Sequence, residues 1–462
     1  MIDKVLGDID TDLDNSLGRL FDWLRIPSIS TDPAHAPDCR RAAEWVRGDL
    51  AAMGFQASVR ETSFHPVVLA HLPKPGAPHV LFYGHYDVQP VDPLDQWESP
   101  PFEPSLVELA PGRRVIRGRG ACDDKGQVMT FIEACRAWKA TEGGIPVGLT
   151  ILIEGAEENG SKGLPEWLAA NRDELKADCA LVCDTGMWDR DTPLITTSLR
   201  GLVYREIKVR CADRDLHSGM FGGGARNPIH VLAKIIADLH DENGRVTVPG
   251  FYDGVPETPP EILAQWRGLG LEPETFLGQV GLSIPAGERD RMLIEQIQSR
   301  PTCDANGIFG GYTGIGSKTV IAGEASAKIS FRLVGDQDPD RISEAFDAFV
   351  KARIPQDCSV EIINYGGSRA IRLPFDMPAL AKAKAALTAE WGREAVMIGS
   401  GGSIPIVGDF KSTLGLDTVL VGFGLDDDRV HSPNEKYDLS SFHKGMRSWA
   451  RILDALGGGQ GA

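Results

Sequence analysis

The chain has 462 residues, of which 42% are hydrophobic and 24% charged, a composition typical of a water-soluble globular protein long enough to form two domains. Its formal net charge of −17 argues against nucleic acid or an anionic membrane as a partner, because both favour a basic protein surface. The acidic N-terminal segment lacks an apolar signal core, and no stretch approaches the roughly 18 apolar residues of a membrane span, so we expect a cytoplasmic protein.

Strand-like and helix-like segments alternate along much of the chain. Apolar runs typical of buried strands occur at 79–83 (HVLFY), 149–153 (LTILI), 180–183 (ALVC) and 418–421 (TVLV). Apolar residues at helical spacing predict helices over 38–54, 126–140 and 377–391. Because strands that alternate with helices form parallel sheets, the pattern predicts an α/β domain with a largely parallel sheet.

The pattern changes between residues 200 and 370, where strands and helices follow one another as strand, helix, strand, helix, strand. The segments are 203–211, 226–241, 324–334, 340–354 and 359–365. The part from 245 to 320 is rich in Pro and Gly, which predicts loops with short helical pieces. We therefore expect a small α+β domain inserted into the first one, with boundaries at 1–199, 200–370 and 371–462.

Acidic and histidine side chains follow the predicted strands of the first domain. In chain order the candidates are His85, Asp87, Asp123, Glu157, Glu158, Asp184 and His431. Ligands bind at the carboxyl ends of the strands in open α/β sheets, so one cleft could collect all of these side chains. Two imidazoles and several carboxylates form the ligand set of two divalent ions that share a bridging carboxylate. The sequence therefore predicts a dinuclear metallohydrolase.

Each motif also has a purely structural interpretation. A single histidine where a strand meets a loop is usually a hydrogen-bonded structural residue, and the Asp-Asp-Lys-Gly of residues 123–126 could be a turn or a helix N-cap. Glu157 and Glu158 directly follow a buried strand, where adjacent carboxylates are costly unless a cation or a proton accepts them. None of the eight cysteines is assigned to a metal, because they form no CxxC pair and we expect reduced, mostly buried thiols.

Five motifs together resemble those of the di-metal peptidase family of cytosolic dipeptidases, carnosinase, glutamate carboxypeptidase, aminoacylase and succinyl-diaminopimelate desuccinylase. The motifs are GHYDVQP (84–90), GRGACDDKG (118–126), EGAEENGS (154–161), DLHSG (215–219) and HSPNEK (431–436). The resemblance covers nearly the whole chain. It implies a mostly parallel catalytic domain with an inserted ferredoxin-like lid or dimerisation domain. It also implies two divalent metal ions per subunit, with zinc expected and manganese or cobalt as alternatives.

The resemblance also implies a role for each candidate residue. One metal ion would be held by His85 and Asp184, the other by Glu158 and His431, and Asp123 would bridge the two. Glu157 would be the general base, and Asp87 would lie behind His85. The family further implies a cis peptide bond between Asp123 and Asp124.

Residues of the inserted domain have implied roles as well. By the resemblance, His217 donates a hydrogen bond to the developing oxyanion in the active site of the neighbouring subunit, which implies a homodimer with composite sites. Without the resemblance, His217 would be interpreted as a helix-capping or packing residue. The substrate would be bound by Arg332, Thr319, Gly402 and Ser403. Its terminal carboxylate would be held by Arg332, Thr319 and Ser403, and the planar guanidinium of Arg332 suits that group. Arg332 could otherwise be a charge on a strand face.

The substrate class follows from two positions. An Asp at position 184 is similar to the dipeptidase branch of the family, so we expect hydrolysis of dipeptides or short peptides. Ser400 stands where these dipeptidases usually carry an acid, which leaves N-acylated amino acids as an alternative substrate and amidohydrolysis as the rival activity. A non-catalytic peptide-binding dimer is a further alternative, and the presence of Glu157 with the full set of ligands argues against it.

Overall fold

The computed structural model describes residues 1–400 and 404–459 of the chain. The strands are β1 Gln56–Arg60, β2 Val67–Leu72, β3 His79–His85, β4 Ser105–Ala110, β5 Arg113–Arg117, β6 Gly148–Glu154, β7 Cys179–Val182, β8 Leu194–Leu199, β9 Gly201–Arg210, β10 Leu216–His217, β11 Thr302–Gly310, β12 Val320–Ile321, β13 Glu324–Leu333, β14 Ser359–Ser368, β15 Ile371–Arg372, β16 Val396–Ser400, β17 Thr418–Leu420 and β18 Lys436–Asp438.

The helices are α1 Ile2–Thr11, α2 Leu13–Leu24, α3 Ala36–Ala52, α4 Lys125–Lys139, α5 Leu164–Asn171, α6 Ser218–Phe221, α7 Pro228–Ala237, α8 Pro260–Gly268, α9 Pro273–Gly278, α10 Leu293–Gln298, α11 Pro339–Lys351, α12 Pro378–Trp391, α13 Pro405–Asp409 and α14 Leu439–Leu456. Within the described residues, no helix is both long and apolar enough to cross a membrane.

The chain divides into two compact units. The first comprises residues 1–197, 373–398 and the part that begins at Ile404; the second comprises Ser198–Arg372 and a short piece that begins at Gly399. The catalytic and lid roles expected for the two domains remain predictions.

The first unit is built on a sheet whose strand order is β1-β2-β6-β3-β7-β17-β8. The four central strands β6, β3, β7 and β17 are mutually parallel, whereas β1, β2 and β8 join the sheet in antiparallel pairs. The predicted α/β class with a parallel sheet is therefore confirmed, with antiparallel strands at its edges. The four apolar runs identified in the sequence are the four parallel strands, because these lie in the middle of the sheet.

Both faces of the central sheet are covered by side chains. Phe82 of β3 stacks on Phe131 of α4, with ring centroids 3.7 Å apart, and meets Trp449 of α14 edge-on at 5.9 Å. The next residue, Tyr83, points to the opposite face, where its ring lies 5.6 Å from that of Phe410. Burial of each large apolar side chain contributes about 1.5 to 3 kcal/mol. Because neither face meets solvent, these strands are continuously apolar and do not alternate.

The second unit contains a four-stranded antiparallel sheet with the order β11-β13-β9-β14. Together with α7 and α11, its strands follow one another in the chain as β-α-β-β-α-β, the ferredoxin-like order that the resemblance implies. The expectation of loops over 245–320 was wrong for β11, which pairs with β13 over its whole length. Its sequence, TCDANGIFG, contains two glycines and an asparagine and interrupts its register with a bulge, so it does not alternate like a regular strand.

The cysteines agree with the prediction of free thiols. None of the eight forms a disulfide, and six of them are buried, whereas Cys211 and Cys358 are partly exposed and their sulfurs lie 2.7 Å apart.

Candidate metal centre

The candidate ligands of the first unit lie at one edge of its sheet, where the parallel strands end. His85 is the last residue of β3, and Asp184 follows β7 by two residues. Glu157 and Glu158 begin a 3-10 turn that follows β6. Strands β3, β6 and β7 are parallel neighbours, so their carboxyl ends place these side chains side by side.

Asp123 lies in the middle of this group, just before helix α4. Its Oδ1 is 3.0 Å from Nε2 of His85, whereas its Oδ2 is 2.9 Å from Nε2 of His431. The same His431 nitrogen lies 3.1 Å from Oε2 of Glu158, and Nε2 of His85 lies 4.0 Å from Oδ2 of Asp184. The ligand atoms therefore form two groups of three, each within 4.8 Å, that share the carboxylate of Asp123.

The donor set fits two divalent cations. Nε2 of His85 is fully buried and makes no hydrogen bond to the described residues, although Oδ1 of Asp123 lies near it. A buried polar atom without a hydrogen bond is costly, and a cation between the nitrogen and the carboxylates would satisfy it. Nδ1 of His85 lies 3.1 Å from the backbone oxygen of Asp87, an arrangement that leaves Nε2 as the metal-facing nitrogen.

The ionisable groups of the centre perturb one another strongly. Burial raises the pKa of Glu157 to about 8, His85 opposes this shift, and the charges of Asp184 and Asp123 add to it. Burial and the charge of Asp123 raise the pKa of Asp184 to about 7. The carboxylates of Asp123 and Glu158 raise the pKa of His431 to about 10. Metal ions and protons therefore compete for these side chains, as expected where carboxylates are packed together.

Asp87 is completely buried and holds the turn that carries the two glutamates. Its Oδ1 accepts a hydrogen bond from the backbone N–H of Glu157 at 3.2 Å, and its Oδ2 accepts one from that of Glu158 at 3.1 Å. Its Oδ1 is also 3.4 Å from Nδ1 of His85. Asp87 therefore contacts three residues of the centre, His85, Glu157 and Glu158, rather than His85 alone as the sequence suggested.

The loop that carries His431 has an unusual backbone. Arg429, His431 and Asn434 all have positive φ, at 55°, 62° and 64° respectively. Side chains other than glycine are strained in this region, and such residues persist only where the surrounding structure fixes them. The side chain of His431 is 53% exposed, so this ligand lies on the solvent-exposed side of the centre, although its Nε2 contacts Asp123 and Glu158.

Sequence reasoning missed three residues that support the ligands. Nε2 of Gln89 donates to Oε2 of Glu158 at 2.7 Å, and Oδ2 of Asp124 accepts from the backbone N–H of His85 at 3.2 Å. Glu435 accepts a hydrogen bond from the backbone N–H of Asp123 at 3.0 Å. All three lie inside the motifs identified in the sequence, a few residues from a candidate ligand. That position is the signal by which they could have been found. The peptide bond between Asp123 and Asp124 is cis, as the resemblance implies.

The predicted residues of the second unit are only partly brought together. His217 pairs with Val320 between β10 and β12, which places it beside Thr319, and both side chains are exposed. Nδ1 of His217 accepts from the backbone N–H of Gly219 at 3.0 Å, which is the helix-capping contact expected without the resemblance. Arg332 lies on β13. Gly402 and Ser403 fall outside the described residues.

Comparisons with known proteins identify the family. Residues 81–455 match the model of peptidase family M20/M25/M40. The Cys-Gly metallodipeptidase dug1 of Schizosaccharomyces pombe is 32% identical over 480 residues, which cover 98% of each chain. The human Beta-Ala-His dipeptidase is 31% identical over 474 residues, 98% of this chain and 92% of the human one.

The fold agrees with that assignment. The solved structure of the dipeptidase Dug1p from Saccharomyces cerevisiae matches with a TM-score of 0.76 at 26% identity, covering 100% of this chain and 99% of that one. The resemblance drawn from the five motifs is confirmed. The chain belongs to peptidase family M20/M25/M40, whose metallopeptidase relatives use divalent metal ions.

Proposed function

We propose that the protein hydrolyses dipeptides, using two divalent metal ions bridged by Asp123. The observation that carries the proposal is the position of this carboxylate, whose two oxygens lie about 3 Å from the imidazoles of His85 and His431. We assign His85 and Asp184 to one ion, and Glu158 and His431 to the other. The dipeptidase relatives from Schizosaccharomyces pombe and human, each matched over almost its full length, support a dipeptide as the substrate.

Glu157 is assigned as the general base. When bound, two divalent ions would lower the pKa of a bound water towards about 7 and polarise the scissile carbonyl. Glu157 removes a proton from that water and later delivers it to the leaving amine. Its place beside the proposed ligand Glu158, in the turn held by Asp87, supports this assignment. General acid–base assistance is typically worth about 10²- to 10⁴-fold in rate.

We expect zinc to be the physiological ion. Imidazole and carboxylate ligands accept Zn²⁺ readily, and the same donor set suits Mn²⁺ and Co²⁺. Activity restored to metal-free protein by each ion separately would rank them.

We propose that the protein is a homodimer in which His217 stabilises the oxyanion in the partner's active site. Because Nδ1 of His217 accepts a hydrogen bond, a neutral ring carries its proton on Nε2, which makes Nε2 the donor that an oxyanion needs. The edge strand β11 carries Ile308 and Phe309, which are 57% and 54% exposed. Exposed apolar side chains on an edge strand are typical of a surface that pairs with another chain.

Arg332 is proposed to bind the carboxylate of the substrate, together with Thr319, Gly402 and Ser403. Burial and the charge of Arg332 lower the pKa of Arg200 to about 10, although the charge of Asp304 opposes this shift, so two guanidinium groups lie near each other in the second unit. Neighbouring like charges repel, and a bound carboxylate would relieve that repulsion. This local positive charge supports an anionic end of the substrate near Arg332.

A substrate panel tests the proposal. Purified protein loaded with Zn²⁺, Mn²⁺ or Co²⁺ is incubated with unblocked dipeptides and with the same sequences acetylated at the N-terminus, and released amino acids are quantified. We expect metal-dependent hydrolysis of the unblocked dipeptides and its loss in Glu157→Gln. Exclusive hydrolysis of the acetylated compounds would instead assign the amidohydrolase activity, which the serine at position 400 leaves open.

A further inference from the structure

Glu435 makes four hydrogen bonds to a single loop of the first unit. Its side chain is completely buried. Oε1 accepts from the backbone N–H groups of Cys122 and Asp123, at 2.9 and 3.0 Å. Oε2 accepts from the backbone N–H of Gly120 at 3.0 Å and from Nη1 of Arg119 at 2.8 Å. Each oxygen therefore accepts two hydrogen bonds. One of the four donors is the backbone N–H of Asp123, the proposed bridging ligand.

These bonds join two segments that are distant in sequence. Glu435 and Asp123 are 312 residues apart, and Glu435 lies four residues after His431. The connection continues in the backbone, since the oxygen of Glu435 accepts from the N–H of Gly118 at 3.1 Å and the next residue, Lys436, begins the strand that pairs with β5. The loop of Asp123 is thereby fixed against the loop that carries a ligand of the second ion.

We infer that Glu435 is a positioning residue that aims the Asp123 carboxylate between the two metal ions. The inference rests on the proposed metal assignment. Ligand supports of this kind set the orientation of the group that they hold, and their replacement typically lowers metal affinity or activity by about 10- to 100-fold. A shift of Asp123 should weaken metal binding more than a shift of any other ligand, because both ions depend on it.

The contacts of Glu435 require a carboxylate. All four partners are donors, and a carboxylate only accepts. In Glu435→Gln, the amide NH2 group would replace one of the two oxygens. In either orientation of the amide, this NH2 group would face two of the four donors. Two donors would then be left unsatisfied in a buried site, and the loop of Asp123 would have to move to relieve them.

A purely structural role for Glu435 predicts a different outcome. The ion pair between Glu435 and Arg119 could simply stabilise the fold, in which case its loss would lower the melting temperature but not the metal affinity of folded protein. The chain offers a matched control in Glu288, a buried carboxylate of the second unit that accepts hydrogen bonds from Arg300 at 3.0 to 3.2 Å. Glu288→Gln removes the same charge from the same kind of buried pair without touching a proposed ligand.

The experiment measures Co²⁺ binding to metal-free protein, without substrate, by competition with a chelator and by the visible absorption of bound Co²⁺. We expect wild type and Glu288→Gln to bind two ions with equal affinity. Folded Glu435→Gln should bind Co²⁺ about 10- to 100-fold more weakly and with a changed absorption spectrum. With metal at saturation, dipeptide hydrolysis should show a reduced kcat at nearly unchanged KM, because the defect lies in the reacting centre.

Two-ion binding by folded Glu435→Gln with the affinity and spectrum of wild type would overturn the inference. Should that variant not fold, Glu435→Asp keeps the charge but is too short to reach Arg119 and Asp123 together. It should then show an intermediate affinity, and wild-type affinity in it would equally refute the positioning role. A wild-type protein that binds two ions but cleaves no dipeptide would refute only the proposed substrate, whereas failure to bind Co²⁺ at all would refute both.

Discussion

The carboxylate of Asp87 accepts a hydrogen bond from the backbone N–H of Glu157, the proposed base, at 3.2 Å. Its second oxygen does the same for the neighbouring Glu158, a proposed ligand, at 3.1 Å. One buried carboxylate thus fixes the turn that carries both the proposed base and a proposed ligand. Asp87 therefore fixes the positions of these two adjacent glutamates relative to the rest of the centre.

Replacement of Asp87 by Asn should therefore damage catalysis. One oxygen would become an amide that faces a backbone N–H, so we expect kcat to fall about 10- to 100-fold. Asp95→Asn, an exposed change a few residues away in the same segment, is the control and should leave kcat unchanged. Steady-state kinetics at saturating metal measures this fall in kcat. An Asp87→Asn variant with wild-type kcat would show that the hydrogen bonds of the Asp87 carboxylate are not required to hold the turn for catalysis.

Isosteric changes at the adjacent residues Glu157 and Glu158 should differ in their effect on metal content. Glu157→Gln should keep both ions and lose about 10²-fold or more in kcat, because an amide cannot take the proton of water. Glu158→Gln should weaken binding of the ion that it shares with His431. Metal analysis by mass spectrometry, combined with kcat, separates the two variants. A Glu157→Gln enzyme with more than about a tenth of wild-type kcat would refute the base assignment.

The sequence predicted the core of the fold because the four parallel strands carry uninterrupted apolar runs. It did not predict β11, since Gly307 and Gly310 remove the alternation that marks a strand and a bulge shifts its register. The acidic and histidine candidates were recognisable by their positions after buried strands. The supporting residues Gln89 and Glu435 were not recognisable, because a residue that acts through hydrogen bonds to residues distant in the sequence leaves no periodic pattern in the chain.

Metal removal should destabilise the first unit. Without cations, the carboxylates of Asp123, Glu158 and Asp184 are left close together in a largely buried site, which is unfavourable. A ligand present at 100 times its Kd stabilises the folded state by about 2.7 kcal/mol per site. We expect chelation to lower the melting temperature by several degrees and Zn²⁺ to restore it, as measured by calorimetry. An identical melting curve with and without Zn²⁺ would argue against a metal centre.

The composite site predicts complementation between two inactive variants. Glu157→Gln is expected to be nearly inactive because it lacks the general base. His217→Ala is expected to be nearly inactive because loss of one oxyanion donor typically costs about 10²- to 10³-fold. In a mixed dimer, one site combines an intact Glu157 with an intact His217. Random exchange makes about half of the dimers mixed, each with one intact site in two, so roughly a quarter of wild-type activity should return.

That complementation requires proof of subunit exchange. Differently tagged variants, co-purified after exchange, provide it, and each variant exchanged with itself is the control for residual activity. Verified mixed dimers without recovered activity would assign His217 to its own subunit or to the capping contact with Gly219 alone.

The shared carboxylate of Asp123 is the central claim, and metal stoichiometry tests it most directly. Wild type, Asp123→Ala, His85→Ala and His431→Ala are dialysed against the same buffered Zn²⁺ concentration, and bound zinc per subunit is measured. Because Asp123 contributes to both ions, we expect close to two ions in wild type, about one in either histidine variant, and close to none in Asp123→Ala. Two tightly bound ions, or one, in folded Asp123→Ala would contradict a bridging carboxylate at this position.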